Sequence, residues 1–324
     1  MATTQDPRDI VYTPNDVSKL ALGELENRRQ HPGEGIRTHI ATLDEKVIPM
    51  RPGDLIVVMA NSSHGKTSFM QYILRQEAKR IVAKNKDGMN EIVVFVTWET
   101  AVEELGMYDI SSYTKIPSDR LYQGIITADE WKNLEVAAFK RATMPVWVIG
   151  HSIKRRKKRP DLTMSNVLES LQYIEDEFGL HPTLICLDYL QEMQPEIQDT
   201  RRLQIFDCMS RSKDTALAMG CPVLLGCQAK RSVLERDWKL PRMSDGEETS
   251  SIEHTADKVL SFWYPKMTEE IGTSLVKTDI VVTENLVICS LAKQRYGPAG
   301  LWWPLHFEPG INKFAPMELT SEAL

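Results

Sequence analysis

One stretch near residue 60 constrains the fold of this chain more than any other part of its sequence. An apolar run at 54–59 precedes a short polar loop, and a helix-like run follows from Ser68. The loop ends in Gly65-Lys66-Thr67. This is the layout of a phosphate-binding loop, in which backbone N–H groups of the loop and the helix start point into one concavity. The sequence therefore predicts a strand–loop–helix unit that binds phosphate.

Each residue type in this loop has a chemical reason. Gly65 lets the backbone approach the phosphate, Lys66 reaches the β- and γ-phosphates of ATP, and the Thr67 hydroxyl takes one position on Mg²⁺. The consensus loop begins with Gly, whereas Ala60 stands at that place here. Asn61 tolerates positive φ and is expected to absorb part of the turn. The predicted phosphate-binding residues are Asn61, Ser62, Ser63, His64, Gly65, Lys66, Thr67 and Ser68.

Short apolar runs alternate with helix-like segments along most of the chain. Such runs predict a parallel sheet covered by helices on both faces. The predicted parallel strands lie at 54–59, 91–97, 146–149, 183–188, 222–227 and 259–263, and the predicted helices at 101–140 (with breaks), 163–178 and 200–219. Near the end, 280–291 and 301–307 are predicted to be antiparallel strands. The fold class is α/β, with a mostly parallel central sheet and a C-terminal antiparallel extension.

The chain is predicted to comprise four segments. They are a flexible lead at 1–12, a helix and connector at 13–35, the main domain at 36–310 and a C-terminal tail at 311–324. The helix starts at Thr13, which is followed by Pro and, three residues on, by Asp. Its apolar residues share one face, namely Val17, Leu20, Ala21 and Leu25. That face must be buried either on its own domain or on a neighbouring subunit.

Composition excludes several classes of protein. The hydrophobic fraction of 42% and charged fraction of 26% are those of a soluble globular chain. No segment has the roughly 20 apolar residues of a membrane helix, and the polar N-terminus carries no signal peptide. The five cysteines form no Cys-x-x-Cys pair, which favours a reduced, cytoplasmic protein. Because the net charge is −6, any contact with nucleic acid must come from a local basic cluster.

Three polar residues follow apolar strands and are expected at the edge of the sheet that carries the loop. Parallel sheets bind ligands at the carboxyl ends of their strands. Asp188 can hold the Mg²⁺ shell, or it can simply cap a turn. Glu99 can deprotonate the attacking water, although an ordinary surface glutamate has the same pattern. Gln228 can link the γ-phosphate to the polar stretch that follows, or merely start that stretch. Their shared position predicts an active site.

Other cations lie away from this edge. Lys293 and Arg295 end an antiparallel strand and could stabilise a transferring γ-phosphate from outside, although charged hairpin ends are usually solvated. The polar stretch at 228–253 is predicted to be a long exposed loop. A basic run at 154–159 could contact nucleic acid or a partner, or be a solvated connector. Basic residues of the long loop, with Trp238 among them, suit a single-stranded nucleic-acid backbone: Arg231, Arg236, Lys239 and Arg242.

In this order, the motifs resemble the RecA-like motor domain of replicative hexameric helicases of the DnaB type. The resemblance runs from about Pro14 to Phe307, nearly the whole chain. It is carried by the stretches at 51–58, 95–100, 184–191, 209–212, 228–233, 241–245, 251–257 and 292–297. Two of its motifs are specific among phosphate-loop ATPases: Asp188-Tyr-Leu-Gln191 and Lys293-Gln-Arg295 before Tyr-Gly.

The resemblance implies a RecA-like fold and a set of roles. Lys66 and Thr67 bind phosphate and Mg²⁺, Asp188 is the second Mg²⁺ contact, Glu99 is the catalytic base and Gln228 is the nucleotide sensor. Lys293 and Arg295 act on the ATP of the adjacent subunit, which implies a homo-oligomer, as a ring or filament. The basic loop after Gln228 faces a central channel and follows single-stranded DNA. The first helix resembles the linker helix that docks on the neighbouring subunit.

Departures from the family leave alternatives open. About 35 residues precede the motor, too few for the N-terminal collar domain of the family, so coupling to primase is not expected. The leading hypothesis is an ATP-hydrolysing helicase or translocase. One alternative is an ATP-dependent, non-unwinding oligomer that binds DNA or protein. A second is a scaffold that binds nucleotide without useful turnover, against which the intact Glu99, Asp188, Lys293 and Arg295 argue.

Overall fold

A computed structural model describes residues 10–84, 90–155, 162–246 and 249–317. The chain divides into two compact units, Met1–Gly35 and Ile36–Leu324. The first contains helix α1 (Pro14–Gln30), which confirms the predicted helix start. The Asp16 N–H donates to the Thr13 hydroxyl, the Asp16 carboxylate accepts the Thr13 N–H, and α1 buries none of its residues. Within the described residues, no helix has the length and apolar character needed to cross a bilayer.

The second unit is built on one sheet, which has nine strands in the described part of the chain, in the order β3-β2-β4-β5-β1-β6-β7-β8-β9. The first six strands of the chain are parallel, and β7–β9 are antiparallel, as predicted. The strands are β1 (Leu55–Ala60), β2 (Glu91–Thr97), β3 (Val146–Ile149), β4 (His181–Asp188), β5 (Val223–Gln228), β6 (Lys258–Trp263), β7 (Leu286–Gln294), β8 (Leu301–Glu308) and β9 (Lys313–Pro316).

Helices cover both faces of this sheet, and those predicted at 101–140, 163–178 and 200–219 are confirmed. The helices of the second unit are α2 (Ala41–Asp44), α3 (Lys66–Lys84), α4 (Val102–Thr114), α5 (Ser118–Gln123), α6 (Ala128–Ala142), α7 (Met164–Phe178), α8 (Arg201–Ala218) and α9 (Thr249–Thr255). Short 3-10 turns lie at Leu190–Glu192, Arg231–Glu235, Met243–Asp245, Pro265–Met267 and Pro309–Ile311.

Strand β1 is the middle strand of the sheet and is buried along its whole length. Because side chains alternate along a strand, Ile56, Val58 and Ala60 pack into the core that contains α3. Leu55, Val57 and Met59 pack into the core that contains α7 and α8. Burial on both faces holds this strand, and therefore the loop that follows it, in one place.

Pairing between strands brings the predicted site residues to one edge of the sheet. Thr97 of β2 pairs with Asp188 of β4, and Ala60 of β1 pairs with Gln228 of β5. The carboxyl ends of these parallel strands are therefore neighbours, as predicted. Strand β7 runs the other way and pairs Gln294 with Lys258 at the start of β6. Lys293 and Arg295 consequently lie at the opposite edge.

Several predictions need correction. The stretch at 228–253 is not one long exposed loop, because it contains two 3-10 turns and the start of α9, and because Val233 and Leu240 are buried. The strand predicted from residue 280 begins only at Leu286. The connector before β1 contains α2, and the predicted tail at 311–324 contributes strand β9, whose Phe314 is buried in the core. Residues 1–9 of the lead, 156–159 of the basic run and 318–324 of the tail lie outside the described residues.

Candidate functional site

A cavity of about 420 Å³ opens at the carboxyl edge of the sheet. Seven of the eight predicted phosphate-binding residues line it, together with Glu99 and Gln228, as the sequence predicts for one shared site. The exception is His64, whose buried side chain makes a contact described below. The lining residues that the sequence did not point to include Tyr108, Tyr189, Tyr264, Phe307 and Asn312.

Asp188 does not line this cavity but is completely buried beside two residues that do. Its Oδ2 accepts a hydrogen bond of 2.8 Å from the Thr67 hydroxyl, and its Oδ1 lies 3.8 Å from the Lys66 ammonium. Oδ1 makes no hydrogen bond, although it is buried. Burial raises the pKa of Asp188, and burial lowers the pKa of Lys66, because each loses hydration that its partner only partly replaces. A bound phosphate and a bound cation would supply the charges that this buried pair lacks.

The Tyr189 ring packs against the Lys66 ammonium. The Lys66 ammonium lies 3.5 Å from the centre of the Tyr189 ring, within the range of a cation–π contact. The tyrosine belongs to the motif that follows Asp188, but its position under the lysine depends on how β4 ends beside α3. This contact holds the ammonium inside the cavity, where it can meet a phosphate.

The loop turns at residues other than those expected. Positive φ values occur at Ser63 (64°) and Gly65 (88°), whereas Asn61 does not have one, so the prediction for Asn61 is wrong. The positive φ at Gly65 favours glycine, and a Cβ atom there would make a tight contact of 3.3 Å with the Phe307 ring. Ala60 is simply the last residue of β1. Extended backbone needs no glycine, which explains why alanine is accepted at this position.

His64 ties the loop to the end of β6. Its Nδ1 accepts a hydrogen bond of 3.0 Å from the Tyr264 N–H. Burial lowers the pKa of His64 to about 4, so the imidazole is neutral at pH 7. The sequence contained no signal for this contact, because the two residues are 200 positions apart.

Gln191 clamps the backbone of Gln228. Its side-chain Oε1 accepts the Gln228 N–H at 3.0 Å, and its Nε2 donates to the Gln228 carbonyl at 3.3 Å. The next residue, Ala229, donates its N–H to the Ala60 carbonyl. The start of the polar stretch is therefore joined directly to the start of the phosphate-binding loop. Glu99 faces the same cavity from the end of β2, and its neighbour Trp98 donates its N–H to the Asp188 carbonyl.

Lys293 and Arg295 cannot reach the loop of their own chain. They lie beside the start of β1, and a strand of six residues spans roughly 20 Å, which is longer than an arginine side chain. The Lys293 ammonium donates to the Glu253 and Ala256 carbonyls at 2.5 and 2.6 Å. Arg295 forms an ion pair of 3.1 Å with Asp257, and 62% of its side chain is exposed.

The four predicted nucleic-acid residues fall into two pairs. Arg236 makes two hydrogen bonds to the Asp245 carboxylate, at 2.7 and 2.6 Å, and Lys239 forms an ion pair with Glu269 at 2.5 Å. Arg231 and Arg242 are exposed. The structure therefore gives Arg236 and Lys239 a structural role and leaves Arg231 and Arg242 at the surface of this stretch.

Two neighbouring side chains at this edge of the sheet, Thr67 and Asp188, suit Mg²⁺. This ion prefers oxygen ligands and is usually held by one or two protein oxygens together with substrate phosphates. The Thr67 hydroxyl and the Asp188 carboxylate lie side by side, and one buried oxygen of that carboxylate makes no hydrogen bond. An ion between them and a nucleotide would satisfy that oxygen.

Fold and site together define a RecA-like protein with a phosphate-binding loop. The family model of the DnaB-like helicase C terminal domain matches residues 35–316. The chain belongs to this family, as its motifs predicted.

Comparison with individual proteins agrees with this membership. The replicative DNA helicase DnaC of Bacillus subtilis (strain 168) and the replicative DNA helicase DnaB of Geobacillus stearothermophilus are each 28% identical to this chain over 311 residues. Each match covers 94% of this chain and 62% of the relative, so the chain spans about three fifths of the length of these curated relatives.

Solved structures show the same fold. One of them, described as an ATPase domain, has a TM-score of 0.77 at 18% identity, covering 94% of this chain and 100% of that one. A DnaB-like replicative helicase, described with its interactions with primase, has a TM-score of 0.75 at 19% identity, covering 92% of this chain and 66% of that one.

Proposed function

We propose that this protein is an ATP-hydrolysing motor of the DnaB type, which acts on single-stranded DNA in the cytoplasm as a ring or helical oligomer. One observation carries the proposal: two groups of predicted site residues lie at opposite edges of one sheet. We infer that Lys66, Thr67 and Asp188 form one half of an ATP site, and that Lys293 and Arg295 form the other half. Two chains in contact complete a site.

Within the first half, the residues divide the work of hydrolysis. The loop N–H groups and Lys66 hold the phosphates of ATP, while Thr67 and Asp188 hold Mg²⁺. When bound, this ion neutralises charge on the β- and γ-phosphates. Glu99 is positioned at the cavity to accept a proton from the attacking water. Gln228, clamped by Gln191, passes the state of the γ-phosphate to the stretch at 229–246.

The second half acts on the neighbouring chain. Arg295 and Lys293 stabilise negative charge that develops on the γ-phosphate, and such a group supplied by a partner accelerates hydrolysis by roughly 10³–10⁵-fold in related chemistry. Hydrolysis then depends on assembly. Helix α1 contributes to assembly by docking its apolar face on the neighbour, which its exposed leucines support: Leu20 and Leu25 are each 61% exposed.

Single-stranded DNA is the proposed track. The relatives named above are replicative DNA helicases. In this chain, Arg231 and Arg242 are exposed cations of the stretch that follows the sensor glutamine, and they would contact phosphates of the strand. If this stretch moves when the bound nucleotide changes, it would move the DNA strand with it.

An assay of three proteins tests the proposal. ATP hydrolysis is measured with and without single-stranded DNA, and unwinding is measured on a forked duplex, for wild type, Lys66→Ala and Arg295→Ala. We expect DNA-stimulated hydrolysis and unwinding in wild type, and a loss of at least about 100-fold in both variants. Hydrolysis without unwinding would rule out the helicase hypothesis and favour the non-unwinding oligomer. Absence of hydrolysis at all concentrations would leave only the nucleotide-binding scaffold.

Mixing the two variants tests the shared site. Lys66→Ala keeps the second half of the site, and Arg295→Ala keeps the first. Mixed assemblies therefore contain contacts at which both halves are intact, and part of the activity should return. If the mixture stays as inactive as either variant while it still assembles, the site does not lie between chains.

A further inference from the structure

We propose that Asp257 is the positioning residue for Arg295 and links the two half-sites of one chain. Asp257 lies between the end of α9 and the start of β6, and only 4% of it is exposed. The inference rests on the proposed function of Arg295 on a neighbouring ATP. It adds a residue that never touches that ATP but determines where the guanidinium stands.

Two contacts hold Arg295 to this residue. The Arg295 N–H donates to the Asp257 carbonyl at 2.9 Å, and one guanidinium nitrogen donates to the Asp257 Oδ1 at 3.1 Å. The first contact places the backbone at the end of β7, and the second orients the side chain. A guanidinium carries five N–H donors in a rigid fork. One anchored nitrogen therefore leaves other donors to point outward from a side chain that is 62% exposed.

The same short segment also holds Lys293. Its ammonium donates to the carbonyls of Glu253 and Ala256, which are the residues around the end of α9 just before Asp257. Residues 253–257 thus form one cradle for both cations that are proposed to act in trans. Helix α9 follows the stretch that carries Arg231 and Arg242. Along the sequence, the cradle therefore comes after the proposed DNA-binding stretch and before the two cations proposed to act in trans.

The other oxygen of the carboxylate faces the interior. Asp257 Oδ2 accepts hydrogen bonds from the Lys213 ammonium at 2.6 Å and from the Leu55 N–H at 2.9 Å. Leu55 is the first residue of β1, and the phosphate-binding loop follows the last residue of that strand. One carboxylate therefore bonds Arg295 with one oxygen and, with the other, the strand that carries the chain's own loop.

Anchoring matters because an exposed arginine has many rotamers. Ordering such a side chain at the moment of reaction has an entropic cost, which preorganisation removes. The Asp257 carboxylate supplies this order before the neighbour arrives. Its removal should therefore slow the chemical step without changing how tightly the chain binds ATP at its own loop.

The variant Asp257→Asn distinguishes the roles of the two carboxylate oxygens. The Oδ2 position faces two donors, so the amide oxygen will take that place and the amide N–H₂ will face the guanidinium, where two donors meet. We expect kcat of the assembled ATPase to fall about tenfold, with KM for ATP and nucleotide affinity within about twofold of wild type. Asp257→Glu, which keeps the charge on a longer stem, should recover part of the loss.

Lys213→Gln is the matched control. Lys213 binds the inner oxygen of the same carboxylate and the Gly53 carbonyl, so this variant disturbs the interior and leaves the Oδ1 contact with Arg295 in place. Its melting temperature should fall at least as far as that of Asp257→Asn, whereas its kcat should stay within about twofold of wild type. An equal loss of kcat in Lys213→Gln would mean that Asp257 acts through stability alone, and would overturn the proposal.

Mixing with Lys66→Ala gives the decisive result. Asp257→Asn chains keep an intact loop, and Lys66→Ala chains keep an intact Arg295 cradle, so activity should return in the mixture, as we expect for Arg295→Ala mixed with Lys66→Ala. A return with Arg295→Ala but not with Asp257→Asn would show that Asp257 serves its own loop, which overturns the inference alone. Full activity of Arg295→Ala by itself would overturn the trans site, and the inference with it.

Discussion

His64 is the residue of the phosphate-binding loop whose side chain faces the interior. Because Nδ1 accepts the Tyr264 N–H, the proton of the neutral ring is carried by Nε2. Protonation of Nδ1 would place its N–H opposite the Tyr264 N–H. The hydrogen bond that joins the loop to the end of β6 would then be lost. Burial lowers the pKa of His64 from its ordinary 6.5 to about 4. The unfolded chain therefore binds a proton at pH 5 that the folded chain does not.

His64→Asn should make the protein less sensitive to acid. The asparagine oxygen can accept the Tyr264 N–H and does not titrate. For wild type, this histidine contributes stability above pH 6.5 that is lost as the pH falls towards 4, and the loss between pH 7.5 and 5 is about 2 kcal/mol. The free energy of unfolding, measured in urea at both pH values, should fall by about that much less in the variant. Equal losses in both proteins would contradict the lowered pKa of His64.

The segment 229–246 is an ordered element of the fold. Its ends meet, since Ala229 and Gly246 form a bridge and the Lys230 N–H donates to the Asp245 carbonyl. Trp238 packs against Trp263 and Trp302, with ring centres 5.2 and 5.3 Å apart. Trp238 is therefore an anchor of this element, and the expectation that it accompanies the basic residues on a nucleic acid stays a prediction.

Arg231→Ala and Arg236→Ala should differ in their effects. Arg231 is exposed, so its removal should weaken binding to single-stranded DNA and reduce the salt dependence by roughly one phosphate contact, with little change in stability. Removal of Arg236 takes two hydrogen bonds from the buried Asp245 and should lower the free energy of unfolding by about 1–2 kcal/mol. Salt titrations of DNA binding and urea unfolding distinguish the two. Equal DNA affinity in wild type and Arg231→Ala would show that Arg231 does not contact the DNA.

At the scale of the whole molecule, helix α1 has an exposed apolar face. Val17 is 55% exposed and Leu25 is 61% exposed, and the helix buries no residue. A helix with this pattern gains most of its stability from packing an apolar face. A neighbouring copy is therefore the proposed partner of this face.

The double variant Leu20→Asp/Leu25→Asp should impair assembly and leave the main domain folded. Because both leucines are exposed, the melting temperature should change by less than about 2 °C. The assembled fraction in sedimentation, and ATP hydrolysis per chain at equal concentration, should both fall at least about tenfold. Lys19→Asp, an exposed change on the same helix, is the control. Unchanged assembly in the double variant would remove α1 from the interface.

Local pattern was sufficient for much of the fold and of the first half-site. Short apolar runs marked the parallel strands, since a strand buried on both faces has no polar positions. Polar residues directly after those runs marked the edge at which Glu99, Asp188 and Gln228 meet. The position of β9 could not be predicted in this way, because four residues of mixed polarity carry no periodic signal. The turn at Ser63 was also missed, because serine is not a residue that usually adopts positive φ.

By itself, the sequence determined that this chain has a parallel sheet, a phosphate-binding loop and a set of family motifs, because each is written in a continuous run of residues. Only the tertiary structure decided which groups those residues meet. Asp257 and Leu55 are 202 positions apart, and Gln191 and Gln228 are 37 apart. Such contacts depend on the order of strands in the sheet, which is set by the packing of distant segments. That order places Arg295 beyond the reach of its own loop, which is why we propose that two chains share the site.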